Sequence, residues 1–518
     1  MRFRAALLAA AVTFGPAVVP VPSLAAPKTV LTVGMAAQDV GRLDPHFAVS
    51  TIDRVVVVWM FNGLVRFKPG SMDPQTIEPD LATSWESSAD KKVWTFHLRP
   101  GVKFHGDYGE LSADDVVFSL QKAADPKRSA FSADFAAFDK VETVDPMTVR
   151  ITLKDTVPSL LGLLTNYSGG FIVSRKAVEK LGDNFARAPI GTGPFAFASI
   201  AANQSLELVS FPQYFRGAPK IEKISYRFLP SNASRDLAFQ NGEIDLEYGM
   251  QDQTWVDRTR KIEHAIVDVF EPGELTTLSL NMSQKPLDDI RVRQAIAYAV
   301  NRPELTKFQG KDVAREGQSV IPIGYLGFTG DNGLPQFDLA KAKALLTEAG
   351  YPNGITLKVV HTQLPSMLSQ MQVLQAELKR AGIILDLQVV EHATYHQMIR
   401  KDLSSMVYYS AARFPIADIY LTQFFNSRST VGTPTGVTNF SHCNAADAEI
   451  DAARHEPDEA KQIALWQTAQ RKIIAQLCAV PLQETLQAWV RRDDLDYGYD
   501  LKGSLSLGPL ITETTRFK

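Results

Sequence analysis

The chain predicts an α/β fold divided between two lobes, and three features of the sequence lead there. Once an apolar leader is set aside, residues 26–518 are too many for one small hydrophobic core. The first half is strand-rich: Trp94, Phe96 and Leu98 alternate with Val93, Thr95 and His97, and similar alternation runs through Thr148 to Lys154 and Ile221 to Leu229. After residue 285 helices thicken and alternate with strands, which gives that region an α/β character.

At the N-terminus, Arg2 and Arg4 precede a mostly apolar run from Ala5 to Val19 and a small-residue cleavage site at Ser23-Leu24-Ala25. This is the pattern of a secretory signal peptide over residues 1–25. A membrane anchor fits less well, because the run is short and Gly15-Pro16 interrupts it. The expected new N-terminus carries no Cys, so no lipid attachment is expected and a soluble periplasmic product is. Losing the leader takes two Arg from the 54 basic residues and none from the 57 acidic ones. The balance of 52 against 57, a net of −5, argues against nucleic acid as a partner, which would call for a basic stripe.

Within residues 77–120, Pro100-Gly101 ends the first strand, and Val102, Phe104 and His105 form a second short extended piece. Ser112, followed by Ala113-Asp114-Asp115, starts a helix with acids in its first turn, where the macrodipole favours them. Val292, Ile296, Ala299 and Val300 make an apolar stripe ended by Asn301-Arg302-Pro303. Ser366 is the expected N-cap of a helix carrying Met371, Leu374 and Leu378 and closed by Gly382. Ile383 to Val390 then reads as a buried strand. Cys443 and Cys478 are either a disulfide or two buried thiols, and their spacing matches neither a zinc ribbon nor a thioredoxin motif.

Four blocks carry a resemblance. The segment IEPDLATSWESSADKKVWTFHLRPGVKFHGDYGELSADDVVFSL, the turn Ile190-Gly191-Thr192-Gly193-Pro194-Phe195, the run NMSQKPLDDIRVRQAIAYAVNR from Asn281 to Arg302, and FDLAKAKALLTEAGYPNG from Phe337 to Gly354 occur in register. Together they resemble the solute-binding proteins of the peptide/nickel class that serve ABC importers. The resemblance covers about residues 30–490. It implies a large periplasmic-binding-protein clamshell with an extra subdomain in lobe one, and delivery of a small solute to ABC transporter permease subunits. It implies lobe one at 26–281 with an inserted subdomain about 66–189, lobe two at 282–480, and a return to lobe one at 481–518. Crossovers are expected near Leu275 to Asn281 and near Val480-Pro481-Leu482. A monomer without cofactor is the family expectation, and the ligand would be a peptide, a peptide-like compound or another anionic solute. Nickel chelates and other non-peptides are the alternatives.

The candidate ligand-binding residues follow from the same comparison. Tyr408 to Asn426 occupies the place of the family's W-x-x-D-x-x-D-P, where an aromatic and an aspartate approach a bound peptide. Here Tyr409 stands for the Trp, Arg413 falls near the first Asp, Ile416-Ala417 replaces Asp-Pro, and Asp418 lies two positions further on. An arginine in a closed cleft offers a planar fork to a carboxylate or phosphate. The other reading pairs Arg413 with an acid such as Asp418 on an outer surface. Tyr408 and Tyr409 alternate across a strand, so one of them faces the ligand, and the family pattern favours Tyr409. Tyr248 and Asn281 are further candidates by position, whereas Asp44-Pro45 is expected to be structural.

His392 and His396 stand four apart, a spacing that suits a metal on one helix face. Surface histidines are the commoner outcome, and no metal site is assigned. The enzyme class lacks its residues: no GxSxG, HExxH or GxxxxGK occurs, and two SxxK matches lack their SDN and KTG partners. A sensory binding protein that docks onto a receptor would carry the same clamshell.

Overall fold

A computed structural model describes residues 28–165, 167–433 and 438–518, leaving aside the side chains of Ser168, Pro365 and Ala393. The expected leader therefore lies outside the described residues. Elements that position the cleft are, in chain order, β1 (Val30–Met35), α1 (Thr51–Met60), β2 (Ala82–Ser87), β3 (Val93–Leu98), α2 (Ala113–Ala124), β4 (Phe138–Asp145), β5 (Thr148–Leu153), α3 (Leu160–Leu163), β6 (Phe195–Ala201), β7 (Ser205–Ser210), β8 (Lys223–Phe228), β9 (Leu246–Tyr248) and β10 (Ala265–Leu280). There follow α4 (Ile290–Ala299), β11 (Ala314–Glu316), α5 (Leu339–Glu348), β12 (Ile355–Thr362), α6 (Pro365–Arg380), β13 (Ile383–Val390), α7 (His392–Arg400), β14 (Met406–Ala411), α8 (Ala417–Phe425), α9 (Asp447–His455), α10 (Glu459–Ala475) and β15 (Ala479–Arg492).

One nine-stranded sheet runs β14-β10-β15-β9-β1-β8-β7-β6, with β11 joined to β15. Its long strands β10 and β15 are antiparallel partners and serve two cores. Phe270 and Trp489 pack with Val33, Met35, Trp59 and Tyr226 in the first core. Leu278, Leu280, Val480 and Leu482 pack with Val292, Ile296, Leu357 and Met371 in the second. Register shifts between Phe270 and Glu274, and between Thr276 and Thr277, bend the pair where it passes from one core to the other. A separate sheet β2-β3-β5-β4 folds under α2 around Phe96, Val116, Leu120 and Ile151.

Two of the motif blocks interlock. Gly191 N–H donates to His105 Nδ1 at 3.3 Å, so Nε2 holds the proton and donates to the Gly193 carbonyl at 2.9 Å. Gly193 N–H reaches the Met60 carbonyl at 2.9 Å, capping the end of α1. A Cβ on Gly191 would meet that carbonyl oxygen at 2.1 Å, and one on Gly193 would meet Met60 C at 2.5 Å, so both positions need glycine. Asp80 from the first block is buried and receives Arg216 and Asn62, and Asn62 in turn accepts Thr192 Oγ1 at 3.0 Å. These residues fasten the small sheet to the body of the first lobe. Asp44 is likewise buried, bonded through both oxygens to Lys122 of α2 at 2.9 Å, which is a structural role.

Ser112 and Asp115 form a capping box at the start of α2. Other expectations shift. Helix α6 starts at Pro365 with Leu364 as its N-cap rather than Ser366, because proline suits the first helical position. β13 is half exposed rather than buried, since it is the edge of a two-stranded sheet with β12. Val102 to His105 forms no regular strand and holds only the bridge between Lys103 and Glu110. Asn301 both follows α4 and caps the next helix, accepting the Glu304 N–H at 3.3 Å.

Cys443 and Cys478 are bonded, with Cα atoms 5.7 Å apart and a sequence separation of 35. A loop of that length contributes roughly 3–4 kcal/mol on the chain-entropy model. The bond ties the segment before α9 to the start of β15 inside the second lobe's core.

Burial lowers the His105 pKa to about 4, against a hydrogen bond to Gly193 that raises it. The folded value lies below the unfolded one of about 6.5, so this histidine's contribution is complete above pH 6.5 and is lost as pH falls toward 4. His105→Gln is therefore expected to be less stable than the parent at pH 8. The gap should narrow by about 3 kcal/mol between pH 6.5 and 4. Denaturant unfolding across that range reads it, and a gap independent of pH would place the titration elsewhere.

Candidate ligand-binding cleft

Beyond the Ala411 end of β14 the chain turns under a clamp. The Tyr325 hydroxyl accepts the Arg413 N–H at 3.1 Å and donates to the Arg413 carbonyl at 2.7 Å, while the Tyr420 hydroxyl donates to the Ala411 carbonyl. With its backbone held this way, Arg413 directs its guanidinium into a cavity of about 240 Å³. The opposite wall comes from the first lobe, where Arg54 of α1, Asp134, Gly162 and Tyr167 line the same space.

Arg413 Nε donates to Gln423 Oε1 at 2.8 Å and Nη1 donates to the Ala412 carbonyl at 2.9 Å, with the guanidinium 5.4 Å over the Phe424 ring. Arg54 bonds to the Ala48 carbonyl at 3.4 Å and to the Tyr167 hydroxyl at 3.5 Å. Among the described residues neither arginine has a carboxylate within ion-pair distance. Two acids feel both arginines, Asp134 on the chamber wall and Glu274 of β10: burial raises the pKa of each, and Arg413 and Arg54 pull it back down. Two cations therefore face a chamber from opposite lobes, and a wall carboxylate and a half-buried one on the connecting strand stand within their field.

The sequence candidates separate. Tyr408 is buried in the second core. Tyr409 is on the other face of β14, with ring centroids 5.2 Å from Phe440 and 5.8 Å from Phe424, and its phenol raises the Arg413 pKa against burial, which lowers it. Tyr248 stacks edge-on to Trp489 at 5.3 Å, and burial followed by Glu274 raises its pKa. Asp418 is buried at the first turn of α8, with Arg454 Nη2 at 3.9 Å. The outer-surface pairing of Arg413 with Asp418 does not form.

Asn281 is placed away from the cavity. Its Nδ2 donates to Asp402 at 2.8 Å and its Oδ1 accepts the Ser283 N–H at 3.1 Å, so its side chain is engaged within the second lobe. His392 and His396 do share α7, with Nε2 atoms 3.2 Å apart, and His392 Nδ1 meets Thr362 Oγ1 at 3.0 Å. Among the described residues no group of three or more His, Cys, Asp or Glu is arranged to hold a metal.

Sequence reasoning missed Arg54, although a lone arginine in the otherwise apolar TIDRVVVVWM helix, after its first-turn Asp53, was a usable signal. It also missed Phe414, whose ring is 6 % exposed and lies across Gly162. A Cβ on Gly162 would sit 2.0 Å from that ring, and Phe67 approaches its other side at 5.7 Å between centroids. His455 Nδ1 meets Asp155 Oδ1 at 3.0 Å, and Lys91 Nζ donates to the Pro457 carbonyl at 3.0 Å. These contacts join the lobes, so the structure is a closed form.

A two-lobed α/β protein closed over a charged chamber is a binding protein for a small solute. Residues 76–431 match the model of bacterial extracellular solute-binding proteins, family 5, middle region, and the chain belongs to that family. It is 28% identical over 427 residues to heme-binding protein A of Haemophilus influenzae, covering 77% of this chain and 76% of that protein. The solved binding protein MoaA from A. tumefacien R10, in complex with mannopinic acid, is 55% identical with a TM-score of 0.83, covering 95% of this chain and 100% of that one. The ABC transporter-associated periplasmic binding protein DppA of Helicobacter pylori, in complex with the peptide STSA, is 27% identical with a TM-score of 0.78, covering 95% and 98%. The chain is the substrate-binding component of an ABC importer. Among the described residues no helix is long and apolar enough to cross a membrane.

Because Phe414 lies on bare backbone at Gly162, added methyl groups there should hold the lobes apart. With a saturating solute, Gly162→Val is expected to show a larger radius of gyration in solution scattering than the parent and to bind at least about tenfold more weakly, or about 1.4 kcal/mol. Equal radii and equal affinities would mean that the ring and the helix part without cost.

Proposed function

We propose that this protein captures an anionic solute of the opine type and hands it to its permease. The observation that carries this is the pair Arg54 and Arg413, which face one chamber from opposite lobes with no carboxylate in ion-pair contact, so that Asp134 on the wall and Glu274 behind it offset their charge only from a distance. A ligand carboxylate between them would receive charge-assisted hydrogen bonds from both sides, so binding and closure are the same event. The likeness to a protein solved with mannopinic acid supports the choice of ligand class. Arg413 stands near the place where the family pattern has the acid that pairs with a peptide amino terminus, which argues against a peptide.

The remaining assignments belong to the same reading. Residues 1–25 direct export and are removed, and the mature protein acts in the periplasm as a monomer without enzymatic activity. Lobe one comprises residues 26–281 with a subdomain at about 66–189, lobe two 282–480, and the return 481–518. Tyr409 supports Arg413 beside the chamber, and Tyr248 belongs to the first lobe's face near Glu274.

Calorimetry of refolded, ligand-free protein tests the function directly. Mannopinic acid is expected to bind at micromolar affinity or better, which is about −8 kcal/mol, and di- to pentapeptides are expected to give no heat. Arg413→Ala should weaken mannopinic acid by about 1.5–3 kcal/mol, the range for hydrogen bonds to a charged group. Peptide binding with an unaffected Arg413→Ala variant would return the protein to the peptide carriers.

A further inference from the structure

A second chamber adjoins the arginine cavity. Its volume is about 260 Å³, and Asp134, Leu163, Ile419 and Gln423 belong to the walls of both. On the second lobe its wall is Asp418, Thr422 and Arg454, and Thr156 and Ser159 face them from the first.

Asp418 is the unusual member. It is 6 % exposed, and its Oδ1 is buried without a hydrogen-bond partner. Its Oδ2 is 3.9 Å from Arg454 Nη2, which itself donates to Thr422 Oγ1 at 2.7 Å. Leaving a buried acceptor empty is costly, so an unfilled carboxylate oxygen beside a chamber calls for a donor from whatever enters.

The rest of the wall says what kind of donor. Arg454 offsets the Asp418 charge and would repel an ammonium group, while Asp418 would repel a second carboxylate. Asp155, at the rim, is already paired with His455 at 3.0 Å and Lys92 at 3.7 Å. Asp134 adds a carboxylate on the wall shared with the arginine chamber, and the other polar groups, Ser159, Thr422 and Gln423, are neutral and both donate and accept. A chain of hydroxyl groups matches that lining, since each hydroxyl both donates and accepts.

We infer that this chamber is a second subsite, which takes the polyhydroxylated end of a ligand whose anionic end lies between Arg54 and Arg413. The inference rests on the anionic-solute reading above and adds a ligand class to it: an acid extended by a polyol, long enough to fill both chambers. Simple dicarboxylates would fill only the first.

The test is calorimetry with two probes, mannopinic acid, which joins a sugar-derived polyol to an amino diacid, and L-glutamate, the diacid alone. Asp418→Asn is expected to lose about tenfold or more in affinity for mannopinic acid while any binding of L-glutamate stays at the parent's level. Ser159→Ala, on the opposite wall, leaves the Asp418–Arg454 pair in place and should lose several-fold on mannopinic acid alone. Equal losses on both probes, or parent affinity in both variants, would overturn the subsite while leaving the arginine chamber standing. A parent protein that binds neither probe would remove the anionic-solute reading, and the subsite with it.

Discussion

The antiparallel pairing of β10 with β15 is the constraint on which the other features depend. Each strand begins in one hydrophobic core and ends in the other, so the chain has to pass between lobes twice, side by side. Two paired strands bend more readily than they stretch or shear, because their ladder hydrogen bonds resist separation. The register shifts at Phe270/Glu274 and Thr276/Thr277 concentrate that bending between the cores. Near the bend, Arg315 of β11 bridges Glu271 at 2.7 Å and the buried Glu484 at 2.7 Å, so charge is neutralised beside the crossover.

Placing the lobes this way gives the cleft its electrostatic character. Arg54 is at the C-terminal side of a first-turn acid in α1, and Arg413 leaves β14 under the Tyr325 clamp. Neither residue alone makes a site. Brought together by closure they form a chamber that favours anions, in surroundings where charges interact more strongly than in bulk water. Closure itself is held by apolar packing of Phe414 on Gly162 and by the polar contacts of His455 and Lys91 at the rim.

The motif blocks turn out to serve the scaffold. His105, Gly191 and Gly193 come from two separated segments and satisfy one another, and Asp80 collects Arg216 and Asn62. Arg293 in the third block is buried and donates to the carbonyls of Leu287, Asp288 and Gln476. In the fourth block a Cβ on Gly354 would meet the Gly382 carbonyl oxygen at 2.1 Å, which couples the turn after α5 to the turn after α6. Such residues are tied to the backbone of the fold, so their role does not depend on the ligand. The chamber-lining positions Arg54, Asp134, Phe414 and Asp418 carry no such obligation.

That division explains what could be read in advance. Strand alternation at Trp94 to Leu98, the Ser112 cap, the apolar stripe of α4 and the four blocks determined the two-lobed α/β class, because local periodicity and turn chemistry act over a few residues. The sequence also brought Tyr409, Arg413 and Asp418 forward by position. It misplaced the start of α6 and the burial of β13, since neither a proline at the first helical position nor an edge strand was weighed. Only the tertiary structure decided that Arg413 shares a chamber with Arg54 and does not pair with Asp418, that Asn281 is engaged with Asp402, and that Cys443 reaches Cys478. Each of these depends on which surfaces face one another after two distant crossovers bring the lobes together, and no local pattern encodes that distance.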